Sequence, residues 1–196
     1  DNVEPNESPV QWALIETGQP GWQATSPVGG LHVFDVGVAE TIDSYSFGNV
    51  QLGAISGTKW EDLDGDGVFD EDESGIAGFE IYLDLNLNRQ FDAGEPDTIT
   101  DVDGNYAFTT DILPGIYVVA EKPVAGWVQT FPGEADLGLH MVEVVSGSVF
   151  TDLDFGNYEK GQIIAGKLSD PNGDGVLSDG SPLSGWTLFL DDNDNG

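Results

Sequence analysis

The chain carries the same series of short segments twice. "PGWQATSP" at 20–27 returns as "AGWVQTFP" at 125–132, and "LHVFDV" at 31–36 returns as "LHMVEV" at 139–144. "ISGTKWEDLDGDGV" at 55–68 returns, one residue shorter, as "IAGKLSDPNGDGV" at 164–176. The offsets run from 105 to 109 residues, the size of one ordinary domain. Only one repeat is complete, at 53–160. Residues 1–52 match the C-terminal part of a repeat, and residues 161–196 match the N-terminal part of a further one. The chain therefore reads as a stretch of a longer tandem array, and its first residue, Asp1, fits a processed chain or a piece of a longer one. The alternative is that the ends of neighbouring chains complete one another and build a fibre. Joined ends would still lack the counterpart of about residues 90–105.

Within the repeat the segments read as strands. "GFEIYLDL" alternates, with Phe79, Ile81 and Leu83 on one side and Glu80, Tyr82 and Asp84 on the other. "GIYVVAEK", "LHMVEVVSG" and "GQIIAGK" are short, β-branched and bracketed by Gly, Pro or Asn. Asp103-Gly104 marks a tight turn before a strand. No window of helical length shows a 3.6-residue period. The expected fold is all-β: tandem Greek-key β-sandwich domains, immunoglobulin-like or prealbumin-like, with almost no helix.

The acidic stretch from Trp60 to Glu73 has the spacing of a metal loop. A hard divalent cation takes six to eight oxygens, and a twelve-residue loop supplies them from positions 1, 3, 5, 7, 9 and 12 around a Gly at 6. Counting from Asp62, those positions hold Asp62, Asp64, Asp66, the carbonyl of Val68, Asp70 and Glu73, with Gly67 at the bend and apolar Phe69 at position 8. A solvated acidic surface would explain the charge but not the placement of Gly67, Phe69 and Glu73.

A second loop holds Asp84, Asn86, Asn88, Gln90, Asp92 and Glu95, with Phe91 at position 8. Its position 6 is Arg89, whose charge and side chain both oppose the site. Asp101, Asp103 and Asn105 form a shorter triplet that is either an ordinary hairpin turn or a further metal site. In the last repeat Asp170, Asn172, Asp174 and Val176 begin a loop whose twelfth position is Ser181, so the bidentate Glu is missing. Asp191, Asn193 and Asn195 begin another. The ligand set is large, flexible and rich in carboxylates, which favours calcium over magnesium, with two to three ions per complete repeat. Strand-like segments flank the loops, so binding should stiffen the domain. No helix pair is there to open, as a sensor would require.

The balance of 36 acidic against 5 basic residues excludes nucleic acid as a partner and disfavours anionic membranes. With 39% hydrophobic residues the chain still builds a core. There is no cysteine, and metal can supply the constraint that disulfides give many extracellular domains. No apolar run is long enough to span a bilayer.

"GTKWEDLDGDGVFDEDESGIAGFEIYLD", "TDVDGNYAFT" and "LPGIYVVAEKPVAGWVQTFP" resemble the calcium-binding B domain of serine–aspartate repeat surface proteins, a family related to collagen-adhesin B-type domains. The resemblance implies a calcium-stiffened sandwich strung in tandem, as a stalk on bacterial surface or secreted proteins. Arg89 departs from the usual Gly of that pattern. The broader collagen-adhesin type often carries a Lys–Asn isopeptide bond promoted by a Glu. Lys59, Glu121 and Asn157 sit in comparable motif positions, with Lys167, Glu16 and Asn49 as counterparts. A Lys–Glu ion pair with a turn Asn is the competing reading and the one favoured here.

An enzyme is not expected. His32 and His140 are equivalent residues of different repeats, and the carboxylates follow metal-loop spacing rather than forming an isolated acid–base pair. Two other readings are kept. One is an adhesin or carbohydrate- or protein-binding module, with Trp22 and Trp127 as a stacking platform. The other is an accessory domain of a larger secreted enzyme. The reading adopted is an extracellular, calcium-rigidified structural protein of the cell surface. Its partners would be neighbouring copies of the same repeat, in a tandem array or a homopolymeric filament, with no membrane insertion.

Overall fold

A computed structural model describes residues 10–36 and 41–191. It divides into two compact units, Asp1–Glu159 and Lys160–Gly196. The first unit holds every strand. In chain order these are β1 (Val10–Ile15), β2 (Trp22–Ser26), β3 (Leu31–Val36), β4 (Gly48–Gln51), β5 (Ala54–Glu61), β6 (Glu80–Asp84) and β7 (Asp97–Ile99). They continue with β8 (Asn105–Phe108), β9 (Gly115–Glu121), β10 (Trp127–Phe131), β11 (Leu139–Val144), β12 (Val149–Phe150) and β13 (Phe155–Glu159). Helix among the described residues is limited to two short 3-10 turns, Glu134–Asp136 and Leu177–Asp179. None of it is long and apolar enough to cross a membrane.

Residues 54–159 form two sheets. One has the order β11-β9-β6-β7, and the other runs β10-β13-β5-β12 with β8 also paired to β5. β5 is the organising strand. Its Ile55–Thr58 stretch pairs antiparallel with β8, while Lys59–Glu61 pairs parallel with β13. Between the contacts to β12 and β13, the chain at Leu153 crosses so close to Gly57 that a Cβ there would lie 2.3 Å from the Leu153 carbonyl oxygen. Ile55, Tyr106, Phe108 and Phe155 from one sheet meet Ile81, Leu83, Val119, Val142 and Val144 from the other, and this layer is the core. Each such side chain contributes on the order of 1.5–3 kcal/mol of burial.

The alternation in "GFEIYLDL" places Ile81 and Leu83 inside, as expected. The opposite face is not open, because Tyr82 and Asp84 are also buried. Phe91 covers Tyr82 in an edge-to-face contact with ring centroids 5.5 Å apart. The loop after β6 folds back over its own strand.

The first forty residues described repeat the pairings of the later half. β1 pairs with β3 as β9 pairs with β11, and β2 pairs with β4 as β10 pairs with β13. The second unit departs from expectation. "GQIIAGK" at 161–167 and "GWTLFLD" at 185–191 form no strand, and only an isolated bridge joins Leu168 to Pro182. A strand needs a ladder. The equivalent segments β5 and β6 owe theirs to β8, β9, β12 and β13, whose counterparts do not follow in this sequence.

Candidate metal centre

Two loops at the ends of β5 and β6 share one hydrogen-bond scheme. In the first, Asp62 is fully buried, and its carboxylate accepts the backbone N–H groups of Gly65 (2.6 Å), Asp66 (3.2 Å) and Gly67 (2.8 Å). Burial opposes its charge, but these donors outweigh burial and hold the carboxyl below its usual range. Asp64 accepts from Asp66 N–H, and Asp66 accepts from Val68 N–H. Glu73 closes the loop: one oxygen takes the N–H of Leu63 at 2.8 Å and the other that of Asp70 at 3.1 Å. One carboxylate oxygen from each of Asp62, Asp64 and Asp66 lies within 4.8 Å of the other two. Burial together with repulsion from Asp66, Glu73 and Asp64 pushes the Asp70 carboxyl up. Phe69 at position 8 stacks on Trp60 with centroids 5.2 Å apart, anchoring the loop to β5.

The second loop reproduces this residue by residue. Asp84 is buried and accepts from the N–H of Asn88 (3.2 Å) and Arg89 (2.7 Å). Asn86 Oδ1 takes Asn88 N–H, and Asn88 Oδ1 takes Gln90 N–H. Glu95 takes the N–H groups of Leu85 and Asp92, both at 2.9 Å. The Asn86 and Asn88 amides donate to Asp92 and hold its carboxyl below the usual range.

Both loops place positions 4 and 6 in the left-handed region. Gly65 and Gly67 have φ of 80° and 78°, while Leu87 and Arg89 both have φ of 62°. The conflict at Arg89 is legible in the sequence. Leu87 was missed, although Gly65 and Gly173 at the same position carried the signal. A side chain at left-handed φ costs roughly 1–2 kcal/mol. Replacing Arg89 by Gly is therefore expected to stabilise the domain by about 1 kcal/mol and to tighten calcium binding at this loop by removing a cation from its rim. Denaturant unfolding and a calcium titration of the variant test both; a variant less stable than the parent refutes the strain argument.

The remaining predicted ligands fall in three groups. Asp101 accepts the N–H groups of Asp103 (3.0 Å) and Asn105 (2.8 Å), and Gly104 N–H closes onto the Asp101 carbonyl. That triplet forms the hairpin turn from β7 to β8, and Asn105 Oδ1 accepts from the Thr58 hydroxyl at 3.3 Å. In the last repeat Asp170 accepts from Gly173 and Gly175, and Asp174 from Val176, as in the first loop. Asp170, however, is exposed where Asp62 and Asp84 are buried. Ser181 at position 12 donates its N–H to the Ser169 hydroxyl. Asp191 lies at the edge of the described residues, and Asn193 and Asn195 lie outside them.

A second cluster sits in the interior. The Lys59 ammonium is fully buried, 3.2 Å from the Trp60 carbonyl oxygen, 3.3 Å from that of Phe155 and 3.6 Å from Glu121 Oε2. It also lies 4.8 Å above the centre of the Phe79 ring. Asn157 donates its amide to Glu121 Oε1 at 2.5 Å, and its own Oδ1 is buried with no hydrogen-bond partner. Burial lowers Lys59 to about 8 against the attraction of Glu121, and burial pushes Glu121 up against the attraction of Lys59. His140 Nε2 meets the Asp154 carbonyl at 2.7 Å, as His32 Nε2 meets that of Ser46 at 2.9 Å, so both imidazoles tie strands together. Trp127 packs edge-on against Phe79.

Two facing sheets with acidic twelve-residue loops at their strand ends define a class of all-β module. Residues 52–137 match the family model described as the SdrD B-like domain, and this segment belongs to that family. The chain is 33% identical over 147 residues to serine-aspartate repeat-containing protein D of Staphylococcus aureus, covering 70% of this chain and 11% of that protein. It is 29% identical over 143 residues to serine-aspartate repeat-containing protein F of Staphylococcus epidermidis, covering 68% and 8%. The chain thus spans about a tenth of the length of these relatives. Among solved structures, the pilus 2b backbone protein of group B streptococcus aligns with a TM-score of 0.37 at 14% identity, over 74% of this chain and 52% of that one.

Proposed function

We propose that this chain is a segment of an extracellular structural protein of the bacterial cell surface, built from repeats and stiffened by calcium into a stalk or filament. The observation that carries the reading is the shared scheme of the two loops, each presenting oxygen ligands at positions 1, 3, 5, 9 and 12 from a backbone already folded around them. Asp62, Asp64, Asp66, Asp70, Glu73 and the Val68 carbonyl would hold one ion. Asp84, Asn86, Asn88, Asp92, Glu95 and the Gln90 carbonyl would hold a second. Oxygen-only donors with several carboxylates suit a hard, large cation. The ion would supply the positive charge that this net −31 chain lacks. The match to repeat-containing proteins supports an array in which neighbouring copies of the repeat are the partners. A calcium titration with bound-metal analysis is expected to give two ions for the complete repeat, and a third if the Asp101 turn also binds. A stoichiometry of zero rejects the reading.

A second reading concerns the Lys59 cluster and is favoured by one observation: a buried amine with lowered basicity and a carboxamide engage the same carboxyl group. In this reading the Lys59 Nζ lone pair attacks Asn157 Cγ, and the Glu121 carboxyl relays a proton from the amine to the departing amide nitrogen. An Nζ–Cγ amide forms and ammonia leaves. Intact-mass measurement of the purified chain tests it. Loss of one ammonia supports the covalent link, and an unchanged mass leaves Lys59–Glu121 as an ion pair.

A further inference from the structure

We infer that residues 10–51 form an acceptor for the strand segments 163–191 of a second copy of this chain, with Glu16 and Lys167 as the charge pair that registers them. This rests on the reading of the chain as a repeat that partners its own copies, and it names the surfaces.

The acceptor has an identifiable empty slot. A cavity of about 290 Å³ is lined by Glu16, Gln19, Trp22, Ala24 and Asn49. Glu16 and Asn49 are hydrogen-bonded to one another, as Glu121 and Asn157 are in the complete repeat. Glu16 Oε2 is buried with no hydrogen-bond partner, whereas Glu121 Oε2 faces the Lys59 ammonium. The slot therefore has the carboxylate and the amide but not the amine. Trp22, equivalent to Trp127, lines it and is 47% exposed. Each sheet here has only two strands, so β1 and β4 each keep one edge unpaired among the described residues.

The donor carries the missing group. Lys167 is the counterpart of Lys59, and its ammonium sits 5.0 Å over the Trp186 ring as that of Lys59 sits 4.8 Å over Phe79. The apolar residues of both halves are uncovered where their counterparts are buried. Ile164, Leu188 and Leu190 are 86%, 55% and 74% exposed, against 0% for Ile55, Ile81 and Leu83. Leu14 is 44% exposed, against 0% for Val119. The register follows from the complete repeat. Lys59 pairs with Phe155 and Ile81 with Glu121, so Lys167 falls opposite Phe47 and Leu188 opposite Glu16. Such a contact is head-to-tail, and it propagates into an open chain instead of closing. Edge-strand pairing with an apolar face and one desolvated charge pair suits strand addition.

Charge exchange tests the register. The parent 196-residue chain is expected to show a mass that grows with concentration in sedimentation or light scattering. Glu16→Lys and Lys167→Glu, each alone, place like charges in the slot and should weaken association about thirtyfold or more. Mixed in equal amounts, the two variants restore opposite charges at every junction and should assemble again. Unchanged melting of the complete repeat in each variant shows that folding is intact. A parent chain that stays monomeric at high concentration overturns the proposal, as does a mixture that assembles no better than either variant. A monomer that still melts in a calcium-dependent way separates failure here from failure of the calcium reading.

Discussion

Chelating calcium is expected to lower the melting temperature of this chain by about 20–40 °C. A site held at a hundredfold excess of ion over its dissociation constant adds about 2.7 kcal/mol, so two sites add about 5 kcal/mol. In a domain of this size each kcal/mol moves the melting temperature by about 4–8 °C. The direction follows from the loops. Asp62 and Asp84 are buried carboxylates, and Asp64, Asp66, Asp70 and Glu73 crowd around the first of them with no cation among the side chains. Without an ion these groups repel one another, and backbone N–H donors alone satisfy them. Asp64→Asn gives a signature that a general loss of stability would not. Asp64 is exposed and accepts only the Asp66 N–H. The variant should therefore melt well below the parent in calcium, and level with it or above it in chelator. Differential scanning calorimetry in both conditions decides the matter. Parent melting curves that coincide with and without chelator would sink the calcium reading.

Replacing Glu121 by Ala is expected to destabilise the domain by about 3–5 kcal/mol, the cost of stranding a buried charge. Lys59 would keep the Trp60 and Phe155 carbonyls and the Phe79 ring but lose its only carboxylate within 4 Å. Asn157 would lose its amide acceptor. Glu121→Gln should cost less, because it retains an acceptor for Asn157 while removing the charge. Both variants lack the group that relays the proton, so each should keep the full mass of its residues if the parent loses one ammonia. Urea unfolding at neutral pH together with intact mass reads both effects. An Ala variant as stable as the parent would show that the buried cluster contributes nothing to the fold.

Sequence reasoning reached the first loop almost whole because metal ligation is local. Asp62 to Glu73 fall within twelve residues, and each ligand position is set by the backbone between them. The same holds for the hairpin at Asp103-Gly104. The strain at Leu87 was missed because apolar residues are common in loops, and only comparison with Gly65 and Gly173 marks the position as left-handed. Strand assignments held for β5, β6, β8, β9 and β11, where alternation or β-branching met a partner. They failed for 161–167 and 185–191, where the same composition met none.

Local spacing, then, determined the oxygen-rich loops, the turns and the repeat length, since each depends on residues close in the chain. Tertiary structure alone decided what lies between them. Only the packing of β5, β9 and β13 brings Lys59, Glu121 and Asn157 together across 98 residues of chain, and only the return of Phe91 over Tyr82 buries the second face of β6. Burial and long-range pairing are properties of the whole domain. A segment such as 161–167 can carry the letters of a strand and still have no sheet to join.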